Sequence, residues 1–250
     1  QAVDLHAEFE LPLLDLEDFD NSPTAIADAV RRAWLIPSGP IQSLVDVIER
    51  AGSVVIPCQF KSGAVDGVSL RVPGLPGLIF LNSTQPVDRQ RFSLAHELGH
   101  LVMHRQPSPA MEEEANEFAA AFLMPRKDIA GDLSGPLTLE RLAFLKPIWR
   151  ASMGSLLYRA QDLKFITPNQ SQYLWRQMSA AGYRKVEPVG ISAEPDQPKL
   201  LTTMLRYHLQ TLGYTIEDLS QVLHILPGEL TQLYSVATSP QPKQYLRIVK

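Results

Sequence analysis

Two histidines and a glutamate near the middle of the chain have the types and spacing needed to hold a metal ion and activate water. His96 and His100 enclose Glu97 in the sequence His-Glu-Leu-Gly-His. Apolar spacing predicts a helix over residues 86–104, and residues four apart lie on one helix face, about 6 Å apart along the axis. Both imidazole rings can therefore reach one ion, and neutral imidazole is a good zinc ligand. Glu97 points to a neighbouring sector, from which it can act as general base on a water molecule.

A second predicted helix, over about residues 110–124, offers the third protein ligand that a catalytic zinc needs. Glu112 and Asn116 are four residues apart and therefore share one face. We predict Glu112 as the ligand, because Asn116 on the same face could accept the free ring N–H of a metal-binding histidine, with His96 as the first choice. Glu113 is the alternative ligand. This ligand set does not determine which metal binds, because manganese or cobalt can bind to it as well as zinc.

Neighbouring residues of similar chemistry receive a structural interpretation. His104 continues the row of His96 and His100, but about 12 Å of helix separates it from His96. We therefore predict that His104 supports the site or lies on the surface. Glu114 is expected to be solvated at the helix start, where the positive helix end favours acidic side chains. Cys58, the single cysteine, is more often a buried small residue than a ligand.

At these residues the chain resembles the ImmA/IrrE family of metallopeptidases. The matching stretches are Arg-Phe-Ser-Leu-Ala-His-Glu-Leu-Gly-His-Leu-Val-Met-His at 91–104 and Glu-x-x-Ala-Asn-Glu-Phe-Ala-Ala-Ala-Phe-Leu-Met-Pro at 112–125. Residues 77–82 also resemble the strand that precedes the active-site helix in that family. The resemblance covers about residues 41–130.

The resemblance implies a site that agrees with the spacing argument. The positions that match the family's zinc ligands are His96, His100 and Glu112, and Glu97 matches its catalytic glutamate. The spacing from Glu112 to Asn116 also resembles the Glu-x-x-x-Asp element of gluzincins. Asn116 replaces the aspartate and carries no charge, so it would polarise the matching histidine less strongly.

The resemblance also implies a function and a partner. Family members typically cleave a helix-turn-helix repressor of the Xre type, and so switch on stress-response, mobile-element or toxin–antitoxin genes. We therefore expect a zinc endopeptidase with such a repressor as its protein substrate. The alternative is a transcription regulator whose zinc domain is a sensor or interaction module with little or no proteolysis; the intact Glu97 favours the peptidase. Many longer relatives carry an N-terminal helix-turn-helix domain, and the linker-like residues 1–22, which begin with Gln1 rather than Met, fit the absence of such a domain here.

Composition excludes several other classes. The 250 residues have a formal net charge of -4, which gives no general attraction to nucleic acid or anionic membranes. No apolar run approaches the roughly 18 residues of a membrane helix. The acidic N-terminus lacks the positive start of a signal peptide, and a single cysteine cannot form an internal disulfide. These features predict a cytoplasmic protein.

Periodicity predicts an α+β fold. Short β-type runs at 54–56, 67–72 and 78–81 predict a small antiparallel sheet. We expect this sheet to pack on the His-Glu-x-x-His helix, and a mostly α-helical C-terminal region to follow. An extended substrate is expected along an edge strand near 77–82, where it would add backbone hydrogen bonds.

Proline-rich and acidic breaks predict five segments. They are a linker or arm (1–22), a zinc metallopeptidase domain (23–130), a helical extension (131–183), a linker (184–198) and a C-terminal helical unit (199–250). Residues 215–234 in the last segment resemble a helix-turn-helix. However, residues 207–242 contain no Lys or Arg, and DNA affinity depends on basic contacts to phosphate. We therefore predict a packing, dimerisation or partner-binding role for this segment rather than DNA binding.

Overall fold

The computed structural model describes residues 7–60, 65–184, 186–188 and 196–234. These residues fall into two compact units, divided between residues 198 and 199. Parts of four predicted segments lie outside the described residues: 1–6 of the N-terminal arm, 61–64 of the predicted metallopeptidase domain, 185 and 189–195 of the predicted linker, and 235–250 of the C-terminal unit. The five-segment division stays a prediction.

The larger unit contains a three-stranded sheet and eight α-helices among its described residues. In chain order these elements are α1 (Pro23–Ala33), α2 (Leu44–Arg50), β1 (Val54–Cys58), β2 (Gly67–Leu70), β3 (Leu78–Asn82), α3 (Val87–Met103), α4 (Met111–Leu123), α5 (Arg126–Leu133), α6 (Leu139–Trp149), α7 (Met153–Asp162) and α8 (Pro168–Ala180). The smaller unit contains α9 (Leu200–Gln210), α10 (Ile216–Leu223) and α11 (Pro227–Tyr234). The predicted α+β class is confirmed. Every helix of the described residues is too short or too polar to cross a bilayer.

The sheet corrects one part of the fold prediction. Its strand order is β1-β3-β2, with β2 antiparallel to β3 but β1 parallel to β3. The predicted antiparallel sheet is therefore wrong for one of its two pairings. The most buried strand, β3, takes the central position, and the antiparallel pairing of β2 with one side of β3 leaves the other side to β1. Side-chain periodicity identifies a strand but not its partner.

The central position of β3 also corrects the predicted docking strand. Residues 78–82 have a neighbour on both sides, so they cannot accept a substrate strand at an edge. The sheet edge that lies beside α3 is β2, whose Gly67 is close to Glu97 of α3. Val68 and Leu70 on this edge are about half exposed.

The core of the larger unit forms where α1, α3 and α4 pack together. Ser22 caps α1 by accepting a hydrogen bond from the Ala25 N–H at 3.2 Å, as expected for a serine just before a helix. Trp34, directly after α1, meets the Phe122 ring of α4 edge-on at 6.2 Å between centroids. Phe122 in turn stacks on Phe118, at 5.4 Å. These aromatic contacts fix α4 in place, and α4 carries the predicted third ligand.

Segments before α1 and after α8 also contact this core. The Leu14 N–H donates to the Val102 carbonyl of α3 at 2.8 Å, and the Trp34 indole donates to the Glu10 carbonyl at 2.9 Å. The Asp196 carboxylate accepts from the Leu44 N–H at the start of α2, at 2.7 Å. In the smaller unit, described by itself, α9, α10 and α11 share a small core of Leu205, Leu219 and Leu230.

Candidate metal centre

A glycine in α3 lets the two helices of the site approach each other closely. Gly99 lies between Glu97 and His100, where a Cβ atom would lie 3.1 Å from the Phe118 ring and 3.4 Å from the Ala115 Cα of α4. Such contacts are tighter than ordinary van der Waals packing, so a larger residue would push α4 outward. The glycine of the His-Glu-Leu-Gly-His sequence therefore brings the first turn of α4 close to both histidines.

Three ligand atoms from these two helices converge. The His96 and His100 Nε2 atoms are 3.0 Å apart, and the Glu112 carboxylate oxygens lie 3.4 Å from His96 Nε2 and 3.5 Å from His100 Nε2. For zinc–ligand bonds of 2.0–2.1 Å, two corners of a tetrahedron are separated by about 3.3 Å. The three atoms thus have the spacing of three corners around one ion, and the group could hold a metal. Glu113, the alternative ligand, is exposed and is not part of this group.

Asn116 contacts the outer nitrogen of His96. Its Oδ1 atom lies 3.0 Å from His96 Nδ1. Since a carbonyl oxygen can only accept, His96 must carry its proton on Nδ1 for this hydrogen bond. The Nε2 lone pair then faces the converging group, which is the tautomer that a metal ligand needs.

A second contact, made by His104, supports His100. His100 Nδ1 lies 2.9 Å from His104 Nδ1, and His104 Nε2 lies 3.0 Å from Glu114 Oε2. These contacts agree with the first of the two roles predicted for His104, support of the site rather than a place on the surface, and sequence reasoning missed only the partner Glu114. Glu114 was expected to be solvated; its side chain is 25% exposed and pairs with His104.

Glu97 is enclosed between α3 and β2. A Cβ atom at Gly67 would lie 2.8 Å from Glu97 Cγ, so β2 can pass this close only because it has glycine there. Burial, together with the neighbouring Glu112 charge, raises the pKa of the Glu97 carboxyl, while hydrogen bonding from Ser69 and the electrostatic interaction with His96 oppose the shift. A carboxylate with a raised pKa is a stronger base, which suits proton abstraction.

His100 strongly favours its neutral form. Burial, followed by the neighbouring His96 and His104, lowers the pKa of His100 to about 4. A metal ligand must be deprotonated, so near neutral pH this ring is already in its binding form. The environment of His100 therefore weakens the competition between a proton and a metal ion for this ring.

The group opens onto a cleft of about 370 Å³. β2 and the second half of α3 line its sides, with Ser69 next to Glu97 and Arg71 towards Arg105. Glu112 contributes from the α4 side. Cys58 lies in β1 and is not part of the group; burial raises the pKa of its thiol, which makes it less reactive.

Together the fold and the site define a class of protein. A His-Glu-x-x-His helix beside a small sheet, with a carboxylate from the next helix facing both rings, is the arrangement of a metallopeptidase-type domain. A comparison with known families agrees: residues 48–161 match the Peptidase_M78 family, described as the IrrE N-terminal-like domain. The match of these residues supports the resemblance to the ImmA/IrrE family that the sequence predicted. No curated protein matches the chain.

Proposed function

We propose that this protein is a zinc-dependent endopeptidase, with His96, His100 and Glu112 as metal ligands and Glu97 as general base. The observation that carries the proposal is the convergence of two imidazole nitrogens and one carboxylate at 3.0 to 3.5 Å from each other. Three protein ligands that leave the fourth position open are typical of a catalytic rather than a structural zinc.

The side chains of the cleft supply the acid–base steps. Zinc, when bound, polarises the scissile carbonyl and lowers the pKa of a water molecule. Glu97 would take a proton from the attacking water as its oxygen bonds to the scissile carbonyl carbon, and would deliver that proton to the amine released when the C–N bond breaks. Its burial, at 8% exposure, keeps bulk water from competing for the proton. Asn116 holds His96 in the required tautomer throughout.

The substrate binds as an extended strand along β2. This strand pairs with β3 on one side, so its other side can donate and accept backbone hydrogen bonds to a peptide. Val68 and Leu70 present apolar side chains there, while Ser69 faces Glu97. Binding of this kind places a peptide bond beside the general base and requires an unfolded or extended segment of the substrate.

We propose an Xre-type helix-turn-helix repressor as the substrate, with cleavage switching on stress-response, mobile-element or toxin–antitoxin genes. The support is the resemblance of residues 91–104 and 112–125 to the ImmA/IrrE family, whose members typically act on such repressors. The proposal places the protein in the cytoplasm, where such repressors act.

One assay tests the activity and separates it from the regulator alternative. The protein is incubated with a candidate repressor, with added zinc or with a chelator, and compared with Glu97→Gln. We expect cleavage only by the zinc-loaded wild type, while Glu97→Gln binds zinc but cuts at least 10²-fold more slowly. Equal cleavage by both proteins would refute the role of Glu97. Zinc binding without cleavage of any repressor would favour the sensor or interaction module.

A further inference from the structure

The two histidines of the centre are supported by hydrogen-bond chains of different length. His96 Nδ1 contacts Asn116, which is exposed. His100 Nδ1 contacts His104, which is itself in contact with Glu114. The His104 side chain is 7% exposed and that of Glu114 is 25% exposed. The chain behind His100 is therefore longer, better buried and ends in a charge.

The protons of this chain can be assigned in only one way that leaves His100 free to bind a metal. The Nε2 atom of His100 faces Glu112 and must be unprotonated as a ligand. His100 Nδ1–H then donates to His104 Nδ1, which must accept. His104 therefore carries its proton on Nε2 and donates it to the Glu114 carboxylate. Each contact has one donor and one acceptor, and no residue of the chain needs to be charged except Glu114.

We propose that His104 and Glu114 are positioning residues that fix the tautomer and ring direction of His100 for the metal. The inference rests on the proposed metal centre, which it extends beyond the ligands. The Glu114 charge acts through the His104 ring to make His100 a more basic ligand, as carboxylates behind metal-binding histidines do. Because Glu114 lies two residues after Glu112 on α4, the same helical turn supplies a ligand and the support of another ligand.

A purely structural role for His104 predicts different behaviour. His104 follows the last residue of α3, and its N–H donates to the His100 carbonyl at 3.0 Å. If the side chain only filled space at this helix end, its replacement would lower the stability of the metal-free protein. It would leave the zinc affinity of the folded protein unchanged. Affinity and metal-free stability must therefore be measured separately.

The test compares two neighbouring glutamates that differ in one contact. Glu114→Gln removes the charge that faces His104, and Glu113→Gln makes the same change at an exposed residue beside it. Zinc affinity is measured by competition with a chromophoric chelator, and melting temperature is measured on the metal-free proteins. We expect Glu114→Gln to lower zinc affinity about tenfold, with Glu113→Gln within twofold of wild type and both melting temperatures close to wild type.

A second pair of variants tests the middle of the chain. His104→Phe removes the acceptor and should lower zinc affinity by as much as about 100-fold. His104→Asn keeps a carbonyl oxygen near the former Nδ1 position and should recover part of the loss. In the zinc-bound wild type, ¹⁵N NMR should show His100 protonated on Nδ1, and this signal should broaden or shift in His104→Phe.

The outcomes separate this inference from the proposed function. If wild type binds zinc and all four variants bind it equally well, the positioning role is refuted and the metal centre stands. If His104→Phe lowers only the metal-free melting temperature, the role is structural and the inference also fails. Failure of wild type to bind zinc would overturn both.

Discussion

The two halves of helix α3 differ in what their polar side chains contact. Those of the first half pair with opposite charges, whereas the histidines of the second half converge with another hydrogen-bond acceptor. In the first half, Asp88 and Arg91 are buried, and each meets an opposite charge. The Asp88 carboxylate lies 2.5 Å from the Lys146 ammonium, and the Arg91 guanidinium lies 3.0 Å from the Asp196 carboxylate. Charges that pair with each other in this way hold separate elements of the fold together.

In the second half, the polar atoms face each other without a donor between them. Once the Nδ1 protons of His96 and His100 are used in hydrogen bonds, both Nε2 atoms are acceptors, and Glu112 adds a carboxylate oxygen. Acceptor atoms that lie this close to one another repel each other unless a cation or a donor lies between them. The comparison teaches that burial of charge alone does not mark a functional site; convergence of groups of one kind does.

The largest effect on stability should come from breaking the ion pairs of the first half of α3, in which Asp88 pairs with Lys146 of α6. Lys146 is 4% exposed and also lies 2.5 Å from Glu187, so Lys146→Met leaves two carboxylates without their cation. We expect the free energy of unfolding to fall by about 3–5 kcal/mol, measured by urea denaturation of the metal-free protein. Zinc affinity of the folded protein should remain within a factor of three. Lys127→Met, at an exposed lysine of α5, is the control; a loss below 1 kcal/mol for Lys146→Met would contradict the comparison.

Glu112→Gln should show the reverse pattern. The Glu112 side chain is 71% exposed, so its replacement should change the free energy of unfolding of the metal-free protein by no more than about 0.5 kcal/mol. Zinc affinity should fall about 100-fold or more, because one of three ligands is lost. Isothermal titration with zinc measures this loss. An unchanged zinc affinity would show that Glu112 is not a ligand and would favour Glu113, the alternative third ligand.

These expectations show which parts of the molecule were readable from sequence. The bounds of α3 and α4 follow from apolar spacing and from Pro125, and they agree with the predicted helices to within a residue or two. The spacing of four correctly placed His96 beside His100 and Glu112 beside Asn116 on shared faces. Local periodicity is enough for such relations, because they depend only on helix geometry.

Relations between distant elements were not readable. The parallel pairing of β1 with β3 was missed because alternation does not specify a partner strand. The contact of His104 with Glu114 depends on how far α4 is rotated against α3, which Gly99 and Phe118 decide by packing. Lys146 and Asp88 are 58 residues apart in sequence, and nothing in either local pattern connects them.

The two halves of α3 should also respond to opposite ends of the pH scale. His100 has a pKa of about 4 in the folded protein, lowered mainly by burial, against about 6.5 when unfolded. Between these values the unfolded chain binds more protons, so the metal-free protein loses stability as pH falls from 6.5 towards 4. The loss is as much as about 3 kcal/mol, measured by urea denaturation with chelator present. His100→Gln should reduce this slope.

The ion pairs of Lys146 with Asp88 and Glu187 should respond to high pH instead of low pH. Burial alone would lower the pKa of Lys146, but its hydrogen bonds to Asp88 and Glu187 outweigh burial and raise the pKa. Its contribution to stability is therefore complete below the ordinary lysine pKa and is lost only as pH rises through the higher folded value. If Lys146→Met and wild type had parallel stability curves above pH 10, this assignment would be wrong.

The smallest expected effect concerns the outer contact of His96. Asn116 is exposed and uncharged, so Asn116→Ala should lower zinc affinity by about tenfold, at the weak end of such contacts. Asn116→Asp should raise the affinity above wild type, since a carboxylate makes His96 more basic, and the order Ala, Asn, Asp should be graded. The gain must shrink at high ionic strength, because salt screens an exposed charge. Equal zinc affinities for Ala, Asn and Asp at position 116 would mean that solvent orients His96 as well as Asn116 does. Positioning of a ligand by a hydrogen-bonded partner would then be left to the buried chain behind His100.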